Sequence, residues 1–280
     1  MVEQNWKDKF HLVNFHQIFS DNCFCLSKRL GIDLLNDFSP IAGHTYIIFG
    51  AHDQAVQLYS IQQQNPTIKY IIINSEPPQS NHLKNKYFLS IMRGNIVFDY
   101  HPISSKHLLS LGIRVFSQYV FENVYSPSNA PREIDLLFVG SRSPRREALY
   151  KKLIEKYPNK NIRFEMDWGH SDQLEMTKLL QNAKFVLNVP YYESGILETH
   201  RIHKALSCGC EVISLYSGDK QTDDFYEPYV HFCHDIFELL DEDEPETKQE
   251  KKKYTELIVA LAENVAHNGW IIEQLGQHKN

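Results

Sequence analysis

Lys69-Tyr-Ile-Ile-Ile-Asn74 is an almost wholly apolar run that stops at Ser75-Glu-Pro-Pro78. A strand with one wet face alternates apolar and polar residues, whereas a continuous run is covered on both faces, as in a parallel sheet. Upstream, Thr45-Tyr-Ile-Ile-Phe49 has the same character and is followed by Gly-Ala-His-Asp and a helix through about Gln62. His11 to Phe15 reads as a strand before a helix near Asp21 to Leu30. Downstream, Asn95 to Phe98 and Ile113 to Phe116 supply two more short strands. Strands alternating with helices are βαβ units.

The pattern breaks between Tyr119 and Glu133, a turn-rich stretch that reads as a linker. A second series follows. Its strands are Asp135 to Val139, Ile162 to Met166, Phe185 to Val189 and Glu211 to Leu215; its helices are Pro144 to Tyr157, His170 to Asn182 and Thr199 to Ser207. Asp241 to Lys253 is a charge-rich loop, and Tyr254 to Leu275 carries Leu257, Leu261, Val265 and Trp270 at helical spacing. The expected fold is α/β, with two Rossmann-like domains facing a cleft. The first covers 1–125, the second 132–255, and a C-terminal helix over 256–280 is placed to cross back to the first.

A chain of 280 residues with 42% apolar residues can bury two proper cores. A net charge of −6 argues against a general nucleic-acid binder, which shows a basic face. No run of about 18 apolar residues exists, and the first residues lack an apolar signal region, so a cytoplasmic protein without a transmembrane segment is expected. The five cysteines are odd in number and not spaced as a zinc module, so buried free thiols are expected.

Two segments carry chemistry. In the first, a strand ends at Gly140, and Ser141 and Arg142 lead to Ser143 as cap of a helix that opens at Pro144. Free N–H groups at a helix start attract anions, and Arg142, Arg145 and Arg146 add charge-assisted contacts to a diphosphate. The plain alternative is a capped helix with surface arginines. The Lys-Ser/Thr ending of a P-loop is missing.

In the second, the strand that ends near Asn188 runs into a polar loop with Tyr191, Tyr192, Glu193 and Gly195, and a helix opens near Thr199. Glu198 and Arg201 are three apart and share a helical face. An acid can hold ribose hydroxyls and an arginine can hold phosphate, while capping is the alternative for Glu198. His200 and His203 read as structural or surface histidines.

This second run resembles the donor-binding segment of GT-B glycosyltransferases, above all small ones from bacterial polysaccharide clusters and large DNA viruses, including algal viruses. The resemblance rests on Asn188-Val-Pro-Tyr191-Tyr192, Leu197-Glu-Thr-His-Arg-Ile202 and Ala205-Leu-Ser-Cys-Gly209. It extends to Asn74-Ser-Glu76 and Val97-Phe-Asp99-Tyr100, and so spans about residues 45 to 220. One departure is Lys204, where many retaining members place a ribose-binding Glu.

The resemblance implies a hexosyl- or pentosyltransferase whose second domain binds a nucleotide-sugar and whose first presents a glycan or glycoprotein acceptor. The viral likeness points to a UDP-sugar such as UDP-xylose, and to the host cytoplasm as location. No metal or other cofactor is expected, because cationic side chains and helix ends neutralise the diphosphate. In this architecture the loop with Trp168 and His170 lies near the nucleobase, where Trp168 can stack and His170 can bond. Covering the domain core is the equal alternative for Trp168. An inverting member needs a base in the first domain. Asp21 is the favoured candidate; His16, Glu76, Asp99 and the His52-Asp53 loop, each near or beyond a strand end, are the others, and a cap or surface charge is the plain alternative for each. The competing readings are a two-lobed binding protein without catalysis and a two-domain nucleotide-sugar epimerase.

Overall fold

The computed structural model describes residues 7–118, 125–166, 173–193, 195–240 and 253–264. They divide into two compact units. One runs to 118 and is joined by the end of the last helix from Leu261; the other runs from 125 to 260.

The first unit contains strands β1 (Phe10–Asn14), β2 (Leu34–Leu35), β3 (Thr45–Phe49), β4 (Lys69–Asn74), β5 (Ile96–Asp99) and β6 (Val115–Gln118). Between them lie helices α1 (Ser20–Leu30), α2 (Ala55–Gln64), α3 (Lys86–Arg93) and α4 (Pro102–Ser110). The sheet order is β2-β1-β3-β4-β5-β6, with every pairing parallel. Tyr46, Ile48, Tyr70 and Ile72 face a core shared with Leu58, Phe88, Ile91 and Met92. Full burial of each such side chain is worth about 1.5–3 kcal/mol. The run from Lys69 is therefore apolar because both of its faces are covered.

The second unit contains β7 (Ile134–Gly140), α5 (Pro144–Lys156), β8 (Ile162–Met166), α6 (Gln173–Gln181), β9 (Ala183–Asn188) and α7 (Thr199–Ser207). It continues through β10 (Glu211–Leu215), α8 (Lys220–Tyr226), β11 (His231–Cys233) and α9 (Ile236–Leu240). The last helix, α10, covers Tyr254–Asn264. The sheet of this unit is again parallel, in the order β11-β10-β9-β7-β8.

Counted from its own first strand, each sheet begins with the order 2-1-3. The chain steps to one side of its first strand and then returns to the other, a doubly wound topology with a switch point beside that strand. The switch point lies between β1 and β3 in the first unit and between β7 and β9 in the second. Loops after those strands diverge and leave a crevice, which is where ligands of such sheets bind.

Most strand limits fall within one residue of the expected ones, but β9 starts two residues earlier and β6 two residues later. Gly112 takes φ 74°, and the Ile113 N–H donates to the Leu108 carbonyl. Ile113 therefore completes the turn that closes α4, as left-handed glycine closures do. The expected start of α6 and part of the linker fall outside the described residues, as does the C-terminal helix beyond Asn264. Cys23, Cys208, Cys210 and Cys233 are buried, and Cys25 is half-buried. No helix among the described residues is long and apolar enough to cross a membrane.

Candidate functional site

The residues singled out in the second unit meet at its switch point. Gly140 ends β7, and Ser143 caps α5 by accepting from the Arg146 N–H at 3.3 Å. Asn188 ends β9, and α7 opens at Thr199, which is buried.

Arg146 and Arg201 do not extend into solvent; their side chains are 1% and 10% exposed. Arg146 donates through Nε and Nη2 to the Val189 carbonyl and through Nη1 to the Ser141 carbonyl. Arg201 donates through Nε to the Val139 carbonyl and through Nη1 to Asn188 Oδ1. Both guanidinium groups also pack on one ring, with Cζ 4.8 and 5.1 Å from the Phe138 centroid.

Glu198 sits between them. Its Oε1 accepts from Arg146 Nη2 at 3.1 Å, and its Oε2 pairs with Arg201 Nη2 at 2.5 Å. Oε1 also accepts the Tyr191 N–H at 2.8 Å, which pins the polar loop. Glu198 occupies the position before α7, yet its side chain makes no capping bond there. Burial pushes its carboxyl up, but Arg201 and then Arg146 outweigh that and hold it below the ordinary carboxylate value. Burial and the adjacent Arg201 push Arg146 down to about 10, so it is fully cationic at neutral pH. The arginine–carboxylate knot thus ties β7, β9, the loop and α7 together.

Gly140 is required by this knot. A Cβ there would lie 2.9 Å from both Arg201 Nη2 and Phe138 Cζ. The cationic groups with more solvent access are Arg142 and Arg145. Arg142 is 57% exposed and pairs with Glu147 at 2.5 Å, and the half-buried Arg145 reaches the Tyr192 carbonyl at 3.4 Å. Tyr191 is 44% exposed, with the Arg146 Cζ 5.3 Å from its ring centroid and Tyr192 edge-on to it. Ser141 and Glu193 are exposed. Trp168 and His170 lie outside the described residues.

His203 belongs to the interior, 2.8 Å from the Tyr226 hydroxyl. His200 is half-buried, and burial, then Arg201, pushes it down to about 3. Lys204 is buried, with Nζ 5.9 Å from the Tyr125 ring centroid. Sequence reasoning left Asn188 without a role. It lies wholly buried, where it accepts from Arg201 and donates to Ser214 Oγ at 3.0 Å.

The first unit gathers a second cluster at its own switch point. His16 follows β1, His52 and Asp53 follow β3, and Glu76 follows β4. His52 is buried, its Nδ1 3.3 Å from Glu76 Oε1 and its Nε2 3.5 Å from Asp53 Oδ1. Glu76 in turn accepts from Ser80 Oγ at 2.5 Å. The rings of His16 and His82 both pack near His52, with centroids at 5.9 and 4.6 Å. Burial pushes His52 below the ordinary imidazole value, against the opposing pull of Glu76 and Asp53. His16 and Glu76 thus converge on His52, a further candidate from the sequence, and no periodicity signals His82. Asp21 stands in the first turn of α1 and is buried.

A groove of about 550 Å3 opens beside this cluster. His52, Asp53, Gln57 and Asn85 line it beside Val56 and Ile61. At the end of β5, Asp99 is fully buried and accepts from Asn74, Ser104 and the His101 N–H. Burial raises it to about 6 against those hydrogen bonds.

No protein-family model matches the chain, and no curated protein matches its sequence. Among solved structures, the chain is similar to HepE of Anabaena in complex with UDP, with a TM-score of 0.56 at 10% identity over 96% of this chain and 100% of that one. The HepE complex with UDP-glucose gives 0.50 at 9% identity over 83% and 88% of the two chains. TarM is matched at a TM-score of 0.47 with 11% identity over 70% of this chain, which spans 46% of the TarM chain. At such identities the likeness concerns the fold: two successive Rossmann-like α/β units.

Proposed function

We propose that the chain is a glycosyltransferase that takes a sugar from a nucleoside diphosphate and passes it to a hydroxyl of a glycan or glycoprotein. The observation that carries this reading is the arginine-rich switch point of the second unit. The knot of Arg146, Glu198 and Arg201 holds the loops after β7 and β9 in place. Arg142 and Arg145, with the start of α5, then meet the diphosphate. Tyr191, Tyr192 and Glu193 contribute the exposed rim. The whole-length likeness to a protein solved with UDP and with UDP-glucose supports a UDP-sugar donor. The viral resemblance makes UDP-xylose the first to test.

Transfer with inversion needs a base for the acceptor hydroxyl. The cluster of His16, His52, Asp53 and Glu76 supplies it in this reading, with Asp21 at the start of α1 as the further candidate. The leaving diphosphate is neutralised by side chains and helix ends, so the donor side needs no metal. The setting is the cytoplasm, that of the host cell for a viral protein.

A thermal-shift panel of nucleotides and nucleotide-sugars tests the proposal. A ligand at about 100 times its dissociation constant stabilises by about 2.7 kcal/mol. UDP and one UDP-sugar should raise the melting temperature, and incubation with glycan acceptors should release UDP. A panel without any nucleotide response refutes the reading. Binding without UDP release or a larger glycan favours a non-catalytic receptor, and conversion of the sugar without transfer favours an epimerase.

A further inference from the structure

The strand ends of the first unit offer a chelating geometry, which goes beyond a single base. One ligand-type atom from each of His16, His52 and Asp53 lies within 4.8 Å of the other two. The His16 Nδ1 is buried and has no hydrogen-bond partner, which is costly for a polar atom unless something else satisfies it. Gly50 fixes the position of this residue. It takes φ 70°, and a Cβ on it would lie 2.7 Å from the His16 Cβ, so the loop carrying His16 presses directly on the end of β3.

The surroundings of His52 give the second observation. Its Nδ1 faces Glu76 Oε1 at 3.3 Å. Its Nε2 lies 3.5 Å from Asp53 Oδ1, and His16 brings a third ligand-type atom within 4.8 Å. A cation would hold these three side chains together. A carboxylate behind a ligating histidine is also the usual outer support of a metal site, because it fixes the ring and raises its basicity. Glu76 fills that place and is itself held by Ser80.

We infer that His16, His52 and Asp53 form a site for a first-row divalent cation of the zinc type, with Glu76 as its outer support. Two imidazoles and one carboxylate suit such an ion and leave a fourth position open. Asp53 and His52 also line the groove, which gives a fourth ligand such as water or a sugar hydroxyl a way in. An oxygen bound there loses its proton more readily: the O–H electron pair stays on the oxygen and the proton passes to solvent. The site lies on the first unit's sheet and is no counter-ion for the diphosphate loop. The ligands are the side chains read above as the base, so a sugar hydroxyl at the ion rests on the transferase reading, whereas ion binding rests on the geometry of this cluster and is tested without transfer.

The test is calorimetric titration of the chelator-treated full chain with Zn2+, repeated with Co2+ while its visible spectrum is followed. One equivalent should bind, with the Co2+ bands of a low-symmetry site. His16→Ala and Asp53→Ala should each weaken binding at least tenfold, and Glu76→Gln by about 10- to 100-fold. His16→Gln serves as the second variant, and a cooperative melt of each variant shows that it is folded. His11, which meets His44 at 2.8 Å elsewhere in the unit, is the control. The inference is overturned if the wild-type chain binds no stoichiometric ion, if His16→Ala or Asp53→Ala binds as the wild type does, or if His11→Ala removes the binding instead.

Discussion

Replacing Glu198 by Gln separates a structural carboxylate from a ligand-binding one. The change keeps the shape and one acceptor oxygen, so the Tyr191 N–H retains a partner. It removes the charge between two guanidinium groups whose side chains are 1% and 10% exposed. Taking one partner from a buried ion pair costs about 3–5 kcal/mol, because the remaining charge is buried without compensation. One Arg–carboxylate attraction at about 4 Å and an effective dielectric constant of about 20 is about 4 kcal/mol, the same order. The surviving amide oxygen and the 17% exposure of Glu198 place the expected loss at the lower end, about 3 kcal/mol. For a unit of this size each kcal/mol shifts the melting temperature by about 4 °C, so a drop of about 12 °C is expected.

Urea and thermal unfolding at neutral pH read the stability, and UDP titration at a temperature where the variant is folded reads the site. The expected result is a large loss of stability with less than a tenfold change in UDP affinity. The pH dependence follows from the sign of the shift. Arg201 and Arg146 hold the folded carboxyl below its unfolded value, so its contribution is present above the unfolded value and is lost as pH falls through the folded one. The two proteins should therefore converge in stability as pH falls below about 4. A variant within about 1 kcal/mol of wild type that no longer binds UDP would refute the reasoning and make Glu198 a donor contact.

Three further outcomes are expected. Arg145→Ala should leave the melting temperature unchanged and weaken UDP binding by about tenfold or more, the worth of a charge-assisted hydrogen bond; calorimetry that finds equal affinity removes Arg145 from the donor site. Gly140→Ala should cost about 1–3 kcal/mol in urea unfolding, because its Cβ would lie 2.9 Å from Arg201 Nη2 and Phe138 Cζ; a neutral effect means the knot has room to shift. Asp99 should titrate near pH 6 in carboxyl-carbon NMR. With its folded value above the unfolded one, its contribution is full below about pH 4 and is lost as pH rises through about 6; a midpoint near the unfolded value contradicts its burial.

The strands β3, β4 and β10 and the helix α7 were legible to the residue. Continuous apolar runs leave strong marks, and so does a helix that follows a polar loop and closes on Gly209. The short edge strands β2 and β11 and the helix α9 were not legible, since two to five residues carry no period. The meeting of the Gly140 and Asn188 loops was half legible. Both lie beyond apolar runs, but only the strand order, with β9 beside β7, makes them neighbours. Least legible was the direction in which polar side chains turn. Glu198 and Arg201 share a helical face, and that spacing alone predicts that both reach a ligand. In the structure they reach each other and Arg146. Burying three charges at a strand end is tolerated only when they pair and their remaining hydrogens find carbonyls.

The two units share a logic that follows from their common strand order. At each switch point the loops after the first and third strands leave a crevice, and polar groups collect there because the sheet beneath offers them no partners. In each crevice one carboxylate organises rather than receives: Glu198 pins two arginines and the Tyr191 loop, and Glu76 orients His52 and is held by Ser80. An organiser is fully occupied by the protein, so it is a poor candidate for direct contact with a ligand. Its less deeply held neighbours are the better ones: Arg142 and Arg145 in the second unit, His16 and Asp53 in the first. A charged residue at a strand end should accordingly be judged by how many of its hydrogen-bonding positions the fold has already filled, and sequence position alone cannot count them.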